Sequence, residues 1–143
     1  MIDNMWVMDL PQTITTLVKT RGNIQLLGKF PKIRWTTEDM KDSPLEFPTI
    51  KLTYTMNELG GDLNGQDING VMCMVQVDIT CTKEQGSQDA RFVSGVVMNE
   101  FKKLRFFINE VPQFNDNTND LIRLIFRARR VIGQSDIINE NLE

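Results

Sequence analysis

The chain has 143 residues, 41% of them hydrophobic and 24% charged, with a net charge of −3 and a pI of about 5.0. That is enough chain for one domain with a real core, and its acidity excludes a general electrostatic attraction to nucleic acid. It contains no histidine, so the commonest general base and the commonest metal ligand are missing.

In chain order, the first predicted element is a helix over residues 11–20. Pro11 suits a first helical turn, Asp9 stands just upstream as a cap, and Gly22 reads as a stop. Ile14, Leu17 and Val18 keep the i, i+3, i+4 spacing of an apolar face. A first strand is expected over residues 32–36, followed by a polar, proline-punctuated connection over 37–48. Ile50, Leu52, Tyr54 and Met56 then alternate with Lys51, Thr53 and Thr55, which predicts a second strand. Residues 57–70 hold Gly60, Gly61, Asp62, Asn64, Gly65, Asp67 and Gly70 and read as one long polar loop. Gly60, Gly61, Asp62, Asn64 and Asp67 are its docking candidates. The stretch 62–67 departs from a calcium loop at Gln66 and Asp67, and Cys73 stands where the closing acidic ligand belongs.

Residues 71–82 carry the clearest pattern in the chain. Val71, Cys73, Val75, Val77, Ile79 and Cys81 share one face of a strand, and Met72, Met74, Gln76, Asp78, Thr80 and Thr82 share the other. Eight residues of strand separate Cys73 from Cys81 by about 26 Å, so they read as buried thiols rather than a disulfide. A helix follows over residues 87–104, with Ala90, Val93, Val97, Phe101 and Leu104 on its apolar face. Ser87 is its expected cap, Asp89 lies in its first turn, and Lys102 and Lys103 lie at its end. A short strand or strand entry over 105–108 and a polar loop over 111–119 lead to a last strand over 120–132. There Ile122, Leu124, Phe126 and Ala128 oppose Arg123, Arg127 and Arg129, with Leu121, Ile125 and Val131 among the arginines. With Arg130 these arginines form a local basic cluster, open to three readings: a DNA-facing patch, a subunit interface, or a solvated face. The acidic residues 134–143 read as a flexible tail.

The expected fold is α+β: one domain over residues 1–133, with an antiparallel or mixed sheet of about four strands and two helices on one face. No phosphate-binding or dinucleotide-binding glycine motif occurs, and the paired carboxylates lie in or beside loops, so no enzyme, cofactor or metal is expected. No run approaches the roughly 20 apolar residues of a membrane helix, and the first residues lack the form of a signal peptide. Met72 and Met74 lie on the face that should be wet, and methionine is enriched in interfaces. With Gln76, Arg127 and Arg129 they are the candidate subunit-interface residues.

Five segments together resemble one family. They are Glu46-Phe-Pro-Thr-Ile-Lys-Leu-Thr-Tyr-Thr55, Asp62-Leu-Asn-Gly65, Met74-Val-Gln-Val-Asp-Ile79, Met98-Asn-Glu-Phe-Lys-Lys-Leu-Arg-Phe106 and Arg129-Arg-Val-Ile-Gly133. In order and spacing, over residues 10–133, the chain resembles the tail terminator (tail completion) proteins of long-tailed double-stranded DNA phages and prophages. The resemblance implies a structural virion protein, assembled in the host cytoplasm, that forms a hexameric ring on the head-proximal end of the tail tube. Such a ring stops tube polymerisation and presents the head-joining surface. Its implied partners are further copies of the chain, the tail tube protein and the head–tail connector proteins, with genomic DNA only passing through the lumen and no membrane. The alternatives are a head completion or adaptor protein of the same virion and a small non-enzymatic binding domain.

Overall fold

The computed structural model describes residues 5–37, 47–61, 68–114 and 121–133. Its elements are α1 (Met5–Leu26), β1 (Arg34–Thr36), β2 (Thr49–Gly61), β3 (Ile68–Thr82), α2 (Gly86–Lys103), β4 (Phe107–Phe114) and β5 (Leu121–Gly133). Among the described residues the strands form one five-stranded sheet in the order β1-β2-β3-β5-β4. β1 runs parallel to β2, and the other pairings are antiparallel, so the sheet is mixed. The α+β class holds, with one strand more than the four expected.

The extra strand is β4, which overlaps the short strand or strand entry expected over 105–108 and runs on well past it. Its sequence, Phe107-Ile-Asn-Glu-Val-Pro-Gln-Phe114, contains a proline, and residues 111–114 read as part of a polar loop. Pro112 is tolerated because β4 pairs only with β5 and lies at the sheet edge, where a missing N–H costs no ladder bond. Two register shifts, between Ile108 and Glu110 and between Glu110 and Gln113, also hide its periodicity.

The first helix corrects the sequence reading at both ends. It starts at Met5, so Pro11 is interior rather than first-turn, Asp9 is no cap, and Gly22 is no stop. Gly22 is buried because the Trp35 ring lies against it: a Cβ there would sit 3.2 Å from the indole carbons. Trp35 Nε1 donates to Asn23 Oδ1 at 2.9 Å and fixes the ring across the helix end. Packing therefore carries the helix past a residue that local propensity assigns to a terminus.

The second helix runs close to expectation, but its cap is Gln85 rather than Ser87. The Gln85 side chain accepts from Thr82 N–H at 3.0 Å and donates to Phe47 O at 3.1 Å, tying the β3–α2 corner to the start of β2. At the far end Arg105 takes φ 68°, a left-handed conformation usually given to glycine, which lets Phe106 N–H reach Phe101 O at 3.0 Å.

Both helices cover the same sheet face. The core joins Leu10, Ile14 and Val18 of α1 to Ile50 and Leu52 of β2, the odd residues of β3 from Val71 to Cys81, Val93, Val97 and Phe101 of α2, and Ile122, Leu124, Phe126 and Ala128 of β5. Phe101 stacks edge-on with Phe106 and Phe126 at 5.2 and 6.4 Å. At the other end of the helix pair, Lys29 bridges to Asp89 at 3.3 Å and lies over the Phe92 ring at 4.8 Å.

Candidate functional site

Both described helices lie on one side, so among the described residues the other face of the sheet has no helical cover. Strand alternation and register decide what it presents. β3 pairs Met72 with Val131, Met74 with Arg129, Gln76 with Arg127, Asp78 with Ile125 and Thr80 with Arg123. β4 adds Phe107 beside Arg129 and Glu110 beside Arg127. On the far flank, β2 sets Thr53, Thr55 and Asn57 against Gln76, Met74 and Met72.

The middle of this face is a chain of polar contacts. Arg123 Nη2 donates to Asp78 Oδ2 at 2.8 Å, and Gln76 Nε2 donates to Asp78 Oδ1 at 3.0 Å. Arg127 Nε donates to Gln76 Oε1 at 3.1 Å, and Arg127 Nη1 donates to Glu110 Oε2. Three strands are thereby cross-linked by side chains, and Asp78 is 5% exposed with no described helix above it. A buried carboxylate needs such charge-assisted partners, and here the neighbouring strands supply them.

One end of the face is different. Met72 and Met74 are half-buried, while Val131 and Phe107 are 54% and 76% exposed. Arg129 stands between them, exposed, and among the described residues its guanidinium has no partner. Asn57 Nδ2 contacts Met74 Sδ at 3.8 Å and holds the thioether against the sheet. The result is an apolar patch around a single cation, contiguous with a satisfied polar network.

The sequence-predicted residues divide in the structure. Met72, Met74, Gln76, Arg127 and Arg129 do share the uncovered face. Gln76 and Arg127 are engaged within the subunit, which leaves Met72, Met74 and Arg129 as its free-facing members. Arg130 does not belong to the basic cluster: it falls on the helix-covered face opposite Cys73 and donates to Leu104 O at 2.9 Å. The long loop shortens, because β2 runs on through Gly61 and β3 begins at Ile68. Gly60 and Gly61 are strand residues at a register irregularity, pairing with Gly70 and Ile68. Asp62, Asn64 and Asp67 lie outside the described residues, as does the tail 134–143. Phe107, Val131 and Glu110 were missed. Parity on β5 points to Val131, but Phe107 and Glu110 depend on a strand that the proline disguises.

Chemistry elsewhere is sparse. Cys73 and Cys81 are free and buried, and burial pushes both thiols up to about 12. Among the described residues no group of histidine, cysteine or carboxylate side chains is arranged to hold a metal. The second buried carboxylate, Glu100, pairs with Lys103 of its own helix at 3.1 Å. No described helix is long and apolar enough to cross a membrane. No protein-family model matches the chain, and no curated protein matches its sequence.

Proposed function

We propose that this protein is a tail-terminator-like structural subunit, which assembles into a ring on the end of a phage tail tube, ends tube growth and offers the head-joining surface. The observation that carries the reading is the Met72–Met74–Val131–Phe107 patch around Arg129 on the helix-free face. Apolar surface with methionine and arginine at its centre and a polar surround has the composition of a protein interface. A ring is built from heterologous contacts that close on themselves, and a patch set to one side of the subunit suits such a contact.

Mixing the purified protein with tail tube subunits tests the reading directly. Electron microscopy is expected to show free rings and capped tubes of limited length. Met74→Asp, which would bury an unpaired charge, is expected to abolish rings while circular dichroism stays native. Rings that dock on head connectors and leave tube growth untouched would instead assign the chain to head completion. A protein that stays monomeric and leaves tube length unaltered at every concentration would refute both.

A further inference from the structure

The β4 edge carries a second feature, on the helix side. A cavity of about 350 Å³ opens between α2 and the β4–β5 hairpin, lined by Arg91, Ser94, Gly95, Met98, Pro112 and Phe114. Three observations mark it as a socket. Gly95 sits in the interior of α2, where glycine is the second-worst helix former, and a Cβ there would meet nothing within 4 Å. The Ser94 hydroxyl is buried without a hydrogen-bond partner among the described residues. Phe114 is 39% exposed, with the Arg91 guanidinium 5.7 Å from its ring centre at the rim. The socket thus offers apolar walls, one unused donor and a cation at its mouth.

Pro112 and the register shifts of β4 oppose strand addition at this edge, so a neighbour placed here is held by side chains rather than by ladder bonds. A heterologous contact brings the opposite flank of the next copy. That flank is α1 beside β2, on the other side of the β1-β2-β3-β5-β4 sheet, where Met8 stands at the rim of a groove with Pro11, Thr15 and Tyr54. Met8 is 77% exposed. Its unbranched thioether is apolar, adaptable and a weak acceptor for a hydroxyl, matching the walls and the free Ser94 donor. The next residue, Asp9, is the one carboxylate of α1 and matches Arg91. Ile24, equally exposed at 81%, lies at the basic end with Lys19 and Arg21, where the charge would repel Arg91.

We propose that Met8 of one copy fills the Gly95 socket of the next, with Asp9 paired to Arg91 across the contact. The inference rests on the ring reading and gives it a direction: the α1–β2 flank of each subunit sits on the α2–β4 flank of its neighbour.

Mass photometry of the full-length chain across a concentration series tests it, with thermal melts alongside. Met8→Asp, Asp9→Arg and Arg91→Glu are each expected to raise the concentration needed for assembly by about ten-fold or more, as truncating a buried charge pair or its anchor does. The double variant Asp9→Arg/Arg91→Glu is expected to recover most of that loss. Gly95→Leu, which fills the socket from within, is expected to block assembly while raising the melting temperature of the subunit. Assembly that is indifferent to all of these overturns the socket contact and leaves the ring reading standing. A double variant no better than the singles also overturns it. A wild-type chain that never assembles overturns both together.

Discussion

The two faces of this sheet solve one problem by different means. Beneath the helices, β3 buries Val71, Cys73, Val75, Val77, Ile79 and Cys81 at no more than 2% exposure, and the face is held by area and close packing. On the other side no described helix lies above the same strand, yet Asp78 is almost as deeply buried, held by Arg123 and Gln76. The first face is held by packing and leaves the buried Ser94 hydroxyl without a partner among the described residues, whereas the second is organised around polar groups that have one. The difference teaches where a partner protein can act. A dry face is already spent on folding, whereas the open face keeps an apolar end whose covering adds free energy only on assembly.

The comparison breaks most sharply at Phe126. It is fully buried and meets the Phe101 ring edge-on. Phe126→Ala is expected to cost about 3–5 kcal/mol in urea or guanidinium unfolding, by lost transfer energy and an unfilled cavity. A loss below about 1 kcal/mol would mean that the helix face is not the main source of stability.

On the open face the largest effect is expected at Asp78. Removing it takes one charged acceptor from both Arg123 and Gln76, at a cost of about 1–3 kcal/mol for Asp78→Ala. Replacing Asp78 and Arg123 together by leucine is expected to recover much of that loss, because an apolar pair often substitutes for a desolvated ion pair. If the double variant is as unstable as the single, the carboxylate contributes through something other than this network. Assembly of the double variant separates the two roles of the face, since Met72, Met74 and Arg129 remain in place.

How much of this was legible depended on what set each feature. The two faces of β3 could be read outright, because a strict period of two over a long strand has only one interpretation. The core faces of α2 and β5 followed from the same logic. The edge and the ends did not. β4 was hidden by Pro112, which is allowed only because the strand lies at an edge, and edge position is a tertiary fact. Gly22 read as a stop because its local propensity says so, while the Trp35 ring that fills the space above it comes from thirteen residues away in the chain. Arg130 read as one of a basic cluster, yet parity alone already set it on the face opposite Arg127 and Arg129. The network partners were the least legible: Arg123–Asp78 needs the β3–β5 register, and no local pattern encodes register between strands separated by a helix.

A chemical probe of the dry face uses Cys73 and Cys81. Burial pushes both thiols from 9.0 to about 12, so they stay protonated in the folded chain while an unfolded chain ionises them from about pH 9. The folded state then binds more protons than the unfolded state between those values, and stability is expected to fall as pH rises from about 9 towards 12. Below pH 9 the thiols contribute no pH dependence. Labelling with a thiol reagent at pH 8 is expected to be negligible in the native protein and complete in denaturant. Prompt native labelling of either cysteine would show that the helix-covered face opens readily.

The smallest effects are expected at two glycines of the helices that make the dry face dry, and they should differ in sign. Gly95 and Gly22 both sit inside helices, so alanine at either gains the same backbone term, roughly 0.5–1 kcal/mol. At Gly95 nothing lies within 4 Å of the new methyl, and the gain should appear in full. At Gly22 the methyl would stand 3.2 Å from two carbons of the Trp35 ring, whose Nε1 is held by Asn23 at 2.9 Å. The ring must give by a few tenths of an ångström or surrender that hydrogen bond, at a cost of about 0.5–1.5 kcal/mol. Gly95→Ala is therefore expected to raise the melting temperature and Gly22→Ala to leave it level or lower it. Trp35 fluorescence is expected to shift only in the Gly22 variant. Equal stabilisation by both would mean that the Trp35 ring is free to move aside, and that β1 is tied to α1 less firmly than the Trp35–Asn23 contact implies.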